Sequence, residues 1–222
     1  MWEKPEISLA SRRQTIEDVD QELKRRGFEP VFEKDEMLNF RANGEKVVNM
    51  IAYFAGQCTD ATKMKISKLM YFADKAHLNR FGRPISGDTY IRMKLGPVPS
   101  MGLNLMRHTT YFENVSELFD ELIEVKGNEV RPLKGFNREI FSRSDISVMD
   151  ETISQLGDVH ALRLSDLSHD ESAWKKADMN RKIDFELLFD ETAEGQQMLG
   201  LLLEDSRDNA SLQEATYSAD VR

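Results

Sequence analysis

The twenty residues TKMKISKLMYFADKAHLNRF, positions 62–81, predict the element around which the rest of the chain folds. Apolar residues recur in this segment at helical spacing, and they fall on more than one side of the helix: Met64, Ile66, Leu69, Met70, Phe72 and Ala73. A helix with several apolar faces must be covered on several faces, so we expect it to be the central helix. Gly82 and Pro84 end it, because glycine suits the left-handed C-terminal conformation and proline cannot continue a helix.

Further helices and a little β structure are predicted on both sides of this segment. Before it, residues 44–57 form a helix that buries Val47, Val48, Ile51 and Phe54. After it, residues 85–95 alternate polar and apolar side chains as a strand does. Gly96-Pro97-Val98-Pro99 predicts a rigid turn, because two prolines fix φ and remove two amide donors. The other predicted elements are a helix at 100–107, a β-hairpin of 118–125 with 129–133, a helix from Ser144 and Asp145 to Gly157, one or two short helical turns within 162–177, and a closing apolar segment at 183–189.

The two ends of the chain are more polar than its middle. Thr15-Ile16-Glu17-Asp18 resembles a capping box, and one helix is predicted from there to Gly27. A last helix is predicted at 191–204, and the polar, acidic residues beyond Asp205 predict disorder. The fold class is therefore mainly α (α+β), a compact helical domain with a small β-hairpin or short sheet. Its predicted divisions are an N-terminal helical extension (1–43), the domain (44–190) and a C-terminal helix with a disordered acidic tail (191–222).

Composition limits the classes of protein to which the chain can belong. Its 222 residues are 40% hydrophobic and 31% charged, which is enough apolar material for a core. No apolar run approaches the about 20 residues of a membrane span, and the single Cys58 can form no intrachain disulfide, so we expect a cytoplasmic protein. No nucleotide, metal or nucleophile motif is present. We therefore predict no catalytic residue, no cofactor and no metal, and thus a protein that is not an enzyme.

Positive charge is concentrated in residues 63–107. This segment has nine lysines and arginines against Asp74 and Asp88, a net charge of +7, whereas the whole chain carries −9 and the remainder therefore −16. Three interpretations stay open: a solvated surface facing acidic neighbours of the same fold, a docking surface for an acidic partner, or, least favoured, a nucleic-acid site.

Several residues of this segment are candidates for binding a partner protein. Asp74, His77 and Arg80 are predicted to lie close together on one side of the central helix. They could form a contact surface or an acid–base site, but we favour a structural hydrogen-bond network. The Gly-Pro-Val-Pro turn is either a chain reversal or a binding platform, which Tyr90 and Arg92 would enlarge. The predicted partner-binding residues are Asp74, His77, Arg80, Tyr90, Arg92, Lys94, Gly96, Pro97 and Pro99.

A second group of chemically suggestive residues lies near position 170. Ser168-His169-Asp170 invites comparison with a catalytic triad, but adjacent side chains point apart and a triad is defined by geometry. Ser168 is predicted to be the N-cap of a helix that leads to Trp174, and Trp174 is predicted to anchor the core.

Five sequence blocks resemble a known family. They are KLMYFAD at 68–74, HL at 77–78, GRPISGD at 82–88, GPVP at 96–99 and LSDLSHDESAWK at 164–175. In this order they resemble the Panacea domain, also called the SocA-like antitoxin domain, over about residues 44–190. The resemblance implies a small, mainly α domain that neutralises a protein toxin by binding it. It also implies that relatives occur in prophages, and that one member delivers its toxin to a Clp-type protease.

Four functions are compatible with the sequence and this resemblance. The first is an antitoxin that neutralises its cognate toxin by direct binding. The second is a proteolytic adaptor, whose acidic tail after Asp205 would reach a Clp-type protease. The third is an enzyme that uses Asp74 and His77, and the fourth is a phage protein that interferes with host regulation or defence. Binding through residues 63–107 is the preferred hypothesis.

Overall fold

The computed structural model describes the backbone of residues 38–220 and the side chains of residues 38–206. The helix predicted at 15–27 lies outside the described residues. Within them the chain forms eight α-helices and four β-strands: α1 (Gly44–Gln57), α2 (Lys63–Phe81), β1 (Tyr90–Met93), β2 (Gly96–Pro99), α3 (Ser100–Arg107), α4 (Val115–Leu122), β3 (Ile123–Lys126), β4 (Glu129–Pro132), α5 (Arg143–Leu156), α6 (Ala161–Asp170), α7 (Ser172–Lys176) and α8 (Ala193–Asp220). Short 3-10 helices cover Arg138–Ile140 and Phe185–Leu188. The prediction of a mainly α fold with a small β part is confirmed.

Helix α2 is the central element, as its several apolar faces predict. The Thr62 side chain accepts a hydrogen bond from the Lys65 amide at 3.3 Å and caps its start, and Gly82, with φ of 71°, ends it. Ile66, Leu69 and Met70 enter one hydrophobic core, which also contains residues of helices α1, α3, α4 and α5. Tyr71 and Leu78 enter a second core, built with Ile183, Phe185, Leu188 and Phe189. Burial on both sides makes α2 the wall that the two cores share.

The second core also includes the first residues that the structure describes. Leu38 is 5% exposed, and its amide donates to Glu186 Oε1 at 2.8 Å. Phe40 packs edge-on against Phe185, with 5.0 Å between the ring centres. The packed domain therefore includes residues 38–43, which the sequence assigned to the N-terminal extension.

The segment Gly96-Pro97-Val98-Pro99 is strand β2, so the prediction of a turn there is wrong. It pairs antiparallel with β1, with Met93 opposite Gly96 and Tyr90 opposite Pro99, and the reversal falls at Lys94 and Leu95. Pro97 and Pro99 cannot donate to a ladder, but a two-stranded ribbon does not require every amide. Residues 180–183 bind the other edge of β1, where the Arg92 amide donates to Arg181 O at 2.9 Å.

Three other predictions about local structure need correction. Residues 115–122 form helix α4 rather than the first part of a hairpin, because Leu118, Phe119 and Leu122 repeat at helical spacing; the hairpin is β3 with β4. Helix α5 begins two residues earlier than predicted, with Ser142 and Asp145 forming a capping box. Helix α8 continues past Glu204 to Asp220, so the backbone predicted to be disordered is helical.

Among residues 38–220, no helix combines the length and the apolar character needed to cross a membrane.

Candidate functional site

Part of the positive charge of residues 63–107 is neutralised by acidic residues of the same fold. Four of its nine basic residues form ion pairs: Lys65 with Asp60, Lys75 with Glu171 and Asp190, Arg80 with Glu151, and Arg83 with Asp145. Four others, which form no ion pair with any residue from 38 to 206, are Lys63, Lys68, Lys94 and Arg107. The interpretation that this charge faces acidic neighbours of the same fold therefore holds for part of the segment, and the last four cations are not neutralised by any acid of residues 38–206.

Asp74 organises the loop that follows helix α2. It is fully buried, and its Oδ1 accepts hydrogen bonds from the Ile85 and Ser86 amides, both at 2.8 Å. Its Oδ2 accepts from the Tyr90 hydroxyl at 2.7 Å and from the Ser86 hydroxyl. Burial raises the pKa of Asp74 even though these bonds favour its charged form. Asp74 and Tyr90 therefore hold the loop in place, and neither has surface for a partner to contact.

His77 and Asp145 connect helix α2 to helix α5. The His77 Nδ1 lies 2.7 Å from the Arg83 carbonyl, and its Nε2 lies 3.0 Å from Asp145 Oδ1. Lys46 and Arg83 donate to the same carboxylate, each at 2.7 Å. Burial would raise the pKa of Asp145, but the hydrogen bonds from His77, Lys46, Ser142 and Arg83 lower it well below its usual range. The acid–base interpretation of this cluster finds no support, because His77 is buried and both of its nitrogens face groups of the fold.

Asp88 positions the start of helix α3 next to strand β2. Its two carboxylate oxygens accept hydrogen bonds from the Met101 and Gly102 amides at 3.0 and 2.9 Å, which satisfies two free donors of the first helical turn. Burial raises the pKa of Asp88 to about 6, although these amides favour its charged form. Two buried aspartates therefore fix the route of the chain from α2 to α3. Asp74 binds the GRPISGD block from helix α2, and Asp88, the last residue of that block, binds the start of α3.

Gly96 allows strand β2 to approach helix α2 closely. Its φ is 92°, a conformation that disfavours any side chain, and a Cβ there would lie 2.6 Å from Lys68 Nζ and would also overlap Ser168 Oγ. Lys68 Nζ donates to the neighbouring Pro97 carbonyl at 2.7 Å. Gly96, Pro97 and Pro99 are buried in this structure, so they shape the site, and their contact with a partner stays a prediction.

We expect Gly96→Ala to lower the free energy of unfolding by about 2–3 kcal/mol, because the left-handed backbone and the crowding each add a cost. Urea denaturation monitored by circular dichroism measures the difference. Gly135→Ala is the matched control, since no heavy atom lies within 4 Å of that Cβ position and its φ is not in the left-handed region. Equal stabilities for the two variants would contradict the close approach.

Arg92 and Trp174 tie strand β1 to helix α7. The Arg92 guanidinium lies over the Trp174 ring, 4.3 Å from its centre, and donates to the Ala177 carbonyl. His169 stacks on Trp174 with 4.1 Å between ring centres, and the Trp174 indole donates to Met93 O at 3.1 Å. Trp174 is only half-buried, so it joins strand to helix without being a fully buried anchor. Ser168 is not an N-cap: it is buried near the end of helix α6 and donates to Ser165 O.

The four unpaired cations line one groove. Its volume is about 570 Å³, and it lies between the start of helix α2, the β1–β2 ribbon, helix α3 and the start of helix α6. Its charged residues are Lys63, Lys68, Lys94 and Arg107, together with His160. Its apolar residues are Met64, Met93, Leu95, Val98, Leu103 and Leu162. No aspartate or glutamate of residues 38–206 lines the groove, so its described lining is both apolar and cationic.

The groove overlaps only part of the predicted partner-binding set. Lys94 lines it and is exposed, whereas Arg80 is exposed elsewhere, beside Glu151. The remaining members are buried, except for Arg92, whose guanidinium contacts Trp174 and the Ala177 carbonyl. In this conformation they hold the elements around the groove in place. The partner contacts of all nine predicted residues stay predictions. Lys63, Lys68 and Arg107 also line the groove and belong to the basic segment, but they are not among the predicted partner-binding residues. His160 and Leu162 lie at the start of helix α6, where no local pattern in the sequence indicates a binding site.

Comparison with known families points to the same segment of the chain. Residues 66–175 match the family model described as Antitoxin SocA-like, Panacea domain. No curated protein and no solved structure matches the chain. The matched range contains most of helix α2, the β1–β2 ribbon, and helices α3 to α6, and it includes Lys68, Lys94 and Arg107 of the groove. A protease partner and a phage association stay predictions from the resemblance. Residues 66–175 of this chain are therefore identified as a Panacea domain of the SocA-like antitoxin type.

Proposed function

We propose that this protein is an antitoxin that neutralises a cognate protein toxin by direct, non-covalent binding, and that it catalyses no reaction. The match of residues 66–175 to an antitoxin domain is the observation that carries this proposal. The groove supports it, because a concave surface with apolar walls and unpaired cations is suited to binding another molecule.

The positions of the candidate acid–base residues favour binding over catalysis. Asp74 and His77 are 0% exposed, and their polar atoms bond to the loop at 83–90 and to helix α5. A catalytic acid or base must reach the proton that it transfers, and a substrate cannot reach either residue here. Among residues 38–206, no group of three or more His, Cys, Asp or Glu side chains is arranged to hold a metal ion.

The interaction is expected to depend on shape and charge together. The chain as a whole carries −9, so a general attraction for acidic molecules is not expected, and only the local charge of the groove can select one. Complementary charge mainly speeds association and excludes wrong partners, while apolar contacts supply most of the free energy of binding. A toxin would therefore be recognised by a limited surface rather than by the net charge of this chain.

Co-expression tests this function directly. The gene next to the one that encodes this chain is expressed from an inducible promoter in a bacterial host, alone and together with the full-length chain. We expect growth to stop in the first case and to continue in the second, and we expect the two purified proteins to elute together in size-exclusion chromatography. Toxicity that persists in the presence of the folded chain would contradict the proposal, as would protection without formation of a complex.

A further inference from the structure

Lys68 is a buried basic residue that forms no ion pair with any side chain of residues 38–206. Its side chain is 1% exposed, and its ammonium group donates to one neutral acceptor, the Pro97 carbonyl, at 2.7 Å. A buried charge is costly unless it is paired, so an unpaired one lowers the stability of the free protein. Lys68 is one of the residues that line the groove, so an anion bound in the groove would lie beside its side chain.

The mouth of the groove adds further positive charge and exposed apolar surface. Lys63, Lys94 and Arg107 form no ion pair with residues 38–206, and Lys94 and Arg107 are exposed. Leu95 and Leu162, from the ribbon and from helix α6, are 47% and 56% exposed. A ligand that fits must therefore bring both negative charge and apolar side chains.

These two requirements distinguish between classes of anion. Single-stranded nucleic acid binds in basic grooves whose aromatic side chains stack on the bases. Among the described residues that line this groove, only His160 has an aromatic ring, so the groove is poorly suited to stacking. An acidic protein segment needs no stacking partner: its carboxylate pairs with a cation, and its neighbouring apolar residues pack against leucine and methionine.

We propose that the groove binds an acidic segment of the partner protein, with an Asp or Glu carboxylate placed against Lys68 and apolar side chains packed on Leu95 and Leu162. This inference rests on the proposed function and names the site and the chemistry through which the toxin is held. The carboxylate supplies the missing counter-ion, and Lys63, Lys94 and Arg107 steer the segment into the groove.

Peptide display tests the chemistry without knowledge of the toxin. Short random peptides on phage are selected against the immobilised full-length chain. We expect the enriched peptides to combine Asp or Glu with Leu, Ile, Met or Phe, and we expect enrichment to be lost on the double variant K94E/R107E. Enrichment of basic or uncharged peptides, or failure to enrich acidic ones, would overturn the proposal.

Affinity measurements on an enriched peptide test the named residues. By fluorescence anisotropy, we expect Lys68→Met to weaken binding about 100-fold, and Lys94→Glu to weaken it about tenfold at low salt. Lys134→Glu is the matched control, because Lys134 is exposed outside the groove and its substitution changes the charge equally. Thermal unfolding verifies that each variant folds. Equal affinity of wild type and Lys68→Met would overturn the proposal, and so would displacement of the peptide by single-stranded DNA or RNA.

The growth assay separates this inference from the proposed function. If the wild type protects against the neighbouring gene product and K94E/R107E protects equally well, the groove is not the toxin site, although the antitoxin function stands. If K94E/R107E loses protection while Lys134→Glu keeps it, the groove is supported. If the wild type itself gives no protection, the proposed function fails, and the toxin-binding role inferred for the groove fails with it.

Discussion

Replacing Asp74 by alanine is expected to lower the free energy of unfolding by about 4 kcal/mol, the largest loss among the substitutions considered. The variant leaves the Ile85 and Ser86 amides and the Tyr90 hydroxyl without their acceptor in a fully buried position. Each buried donor left unsatisfied costs about 1–3 kcal/mol, and these costs are only partly additive because the loop can relax.

Urea denaturation of purified variants measures this effect. Asp74→Asn is expected to lose about half as much, because the amide oxygen can still accept two hydrogen bonds while its NH₂ group faces other donors. Asp166→Ala is the control, since Asp166 is exposed on helix α6, and such surface changes stay within about 0.5 kcal/mol. A loss of toxin binding by a fully stable Asp74→Ala protein would restore Asp74 as a contact residue and contradict its structural role.

The second large effect is expected to be a gain in stability at Lys68. Burial lowers the pKa of Lys68 to about 7, whereas the ordinary value is 10.5. Below pH 7 the folded protein must bury a charge, so the full cost is present there. Between pH 7 and 10.5 the unfolded lysine still holds the proton that the folded one has lost, and stability rises with pH.

Lys68→Met removes this cost and is expected to raise the free energy of unfolding by about 2 kcal/mol at pH 7, after allowance for the Pro97 carbonyl that loses its donor. At about 1.4 kcal/mol for each pKa unit, the advantage over wild type should shrink by about 2 kcal/mol between pH 7 and pH 9. Urea denaturation at both values measures it. An advantage that is independent of pH would show that packing rather than charge is responsible. A more stable variant that no longer binds its partner would mark Lys68 as a residue retained for function.

The helices that matter most to the fold could be predicted because their signals are local. Helix α2 carries its own cap at Thr62, its stop at Gly82 and apolar residues on two sides, and the structure places its ends at Lys63 and Phe81. Residues 44–57 behave in the same way, with Asn43 as their cap. The helix at 100–107 was also predicted, but its first turn is completed by Asp88, a contact that the local sequence does not reveal.

The errors arise where a distant partner decides the local structure. Two prolines in Gly96-Pro97-Val98-Pro99 are typical of a turn, yet pairing with β1 makes the segment a strand. Ser168 stands before acidic residues as an N-cap does, yet helix α6, which is capped by His160 and begins at Ala161, continues through it. In both places the local residue preferences indicate one structure, and contacts with distant residues or the continuing helix impose another.

The candidate site was found only in part for the same reason. Charge counting located the basic segment, but it could not tell which cations the fold neutralises. Lys65 and Arg83 form ion pairs with acidic residues, whereas Lys63 and Lys94 form none with residues 38–206. Asp74, His77 and Tyr90 look like exposed functional residues in a motif, and only the packing shows that they are internal. Leu162 reaches the groove from helix α6, across a sequence separation that no periodicity reveals.

The wall that helix α2 provides for two cores has a consequence for protein engineering. The family segment ends at Lys175, but Ile183, Phe185, Leu188 and Phe189 cover the side of α2 that presents Tyr71 and Leu78. A chimera in which only residues 66–175 are fused to another protein would expose the apolar side of α2 that includes Tyr71 and Leu78. We expect such a chimera to aggregate. The segment that matches the family model is therefore shorter than the segment that a folded chimera would need.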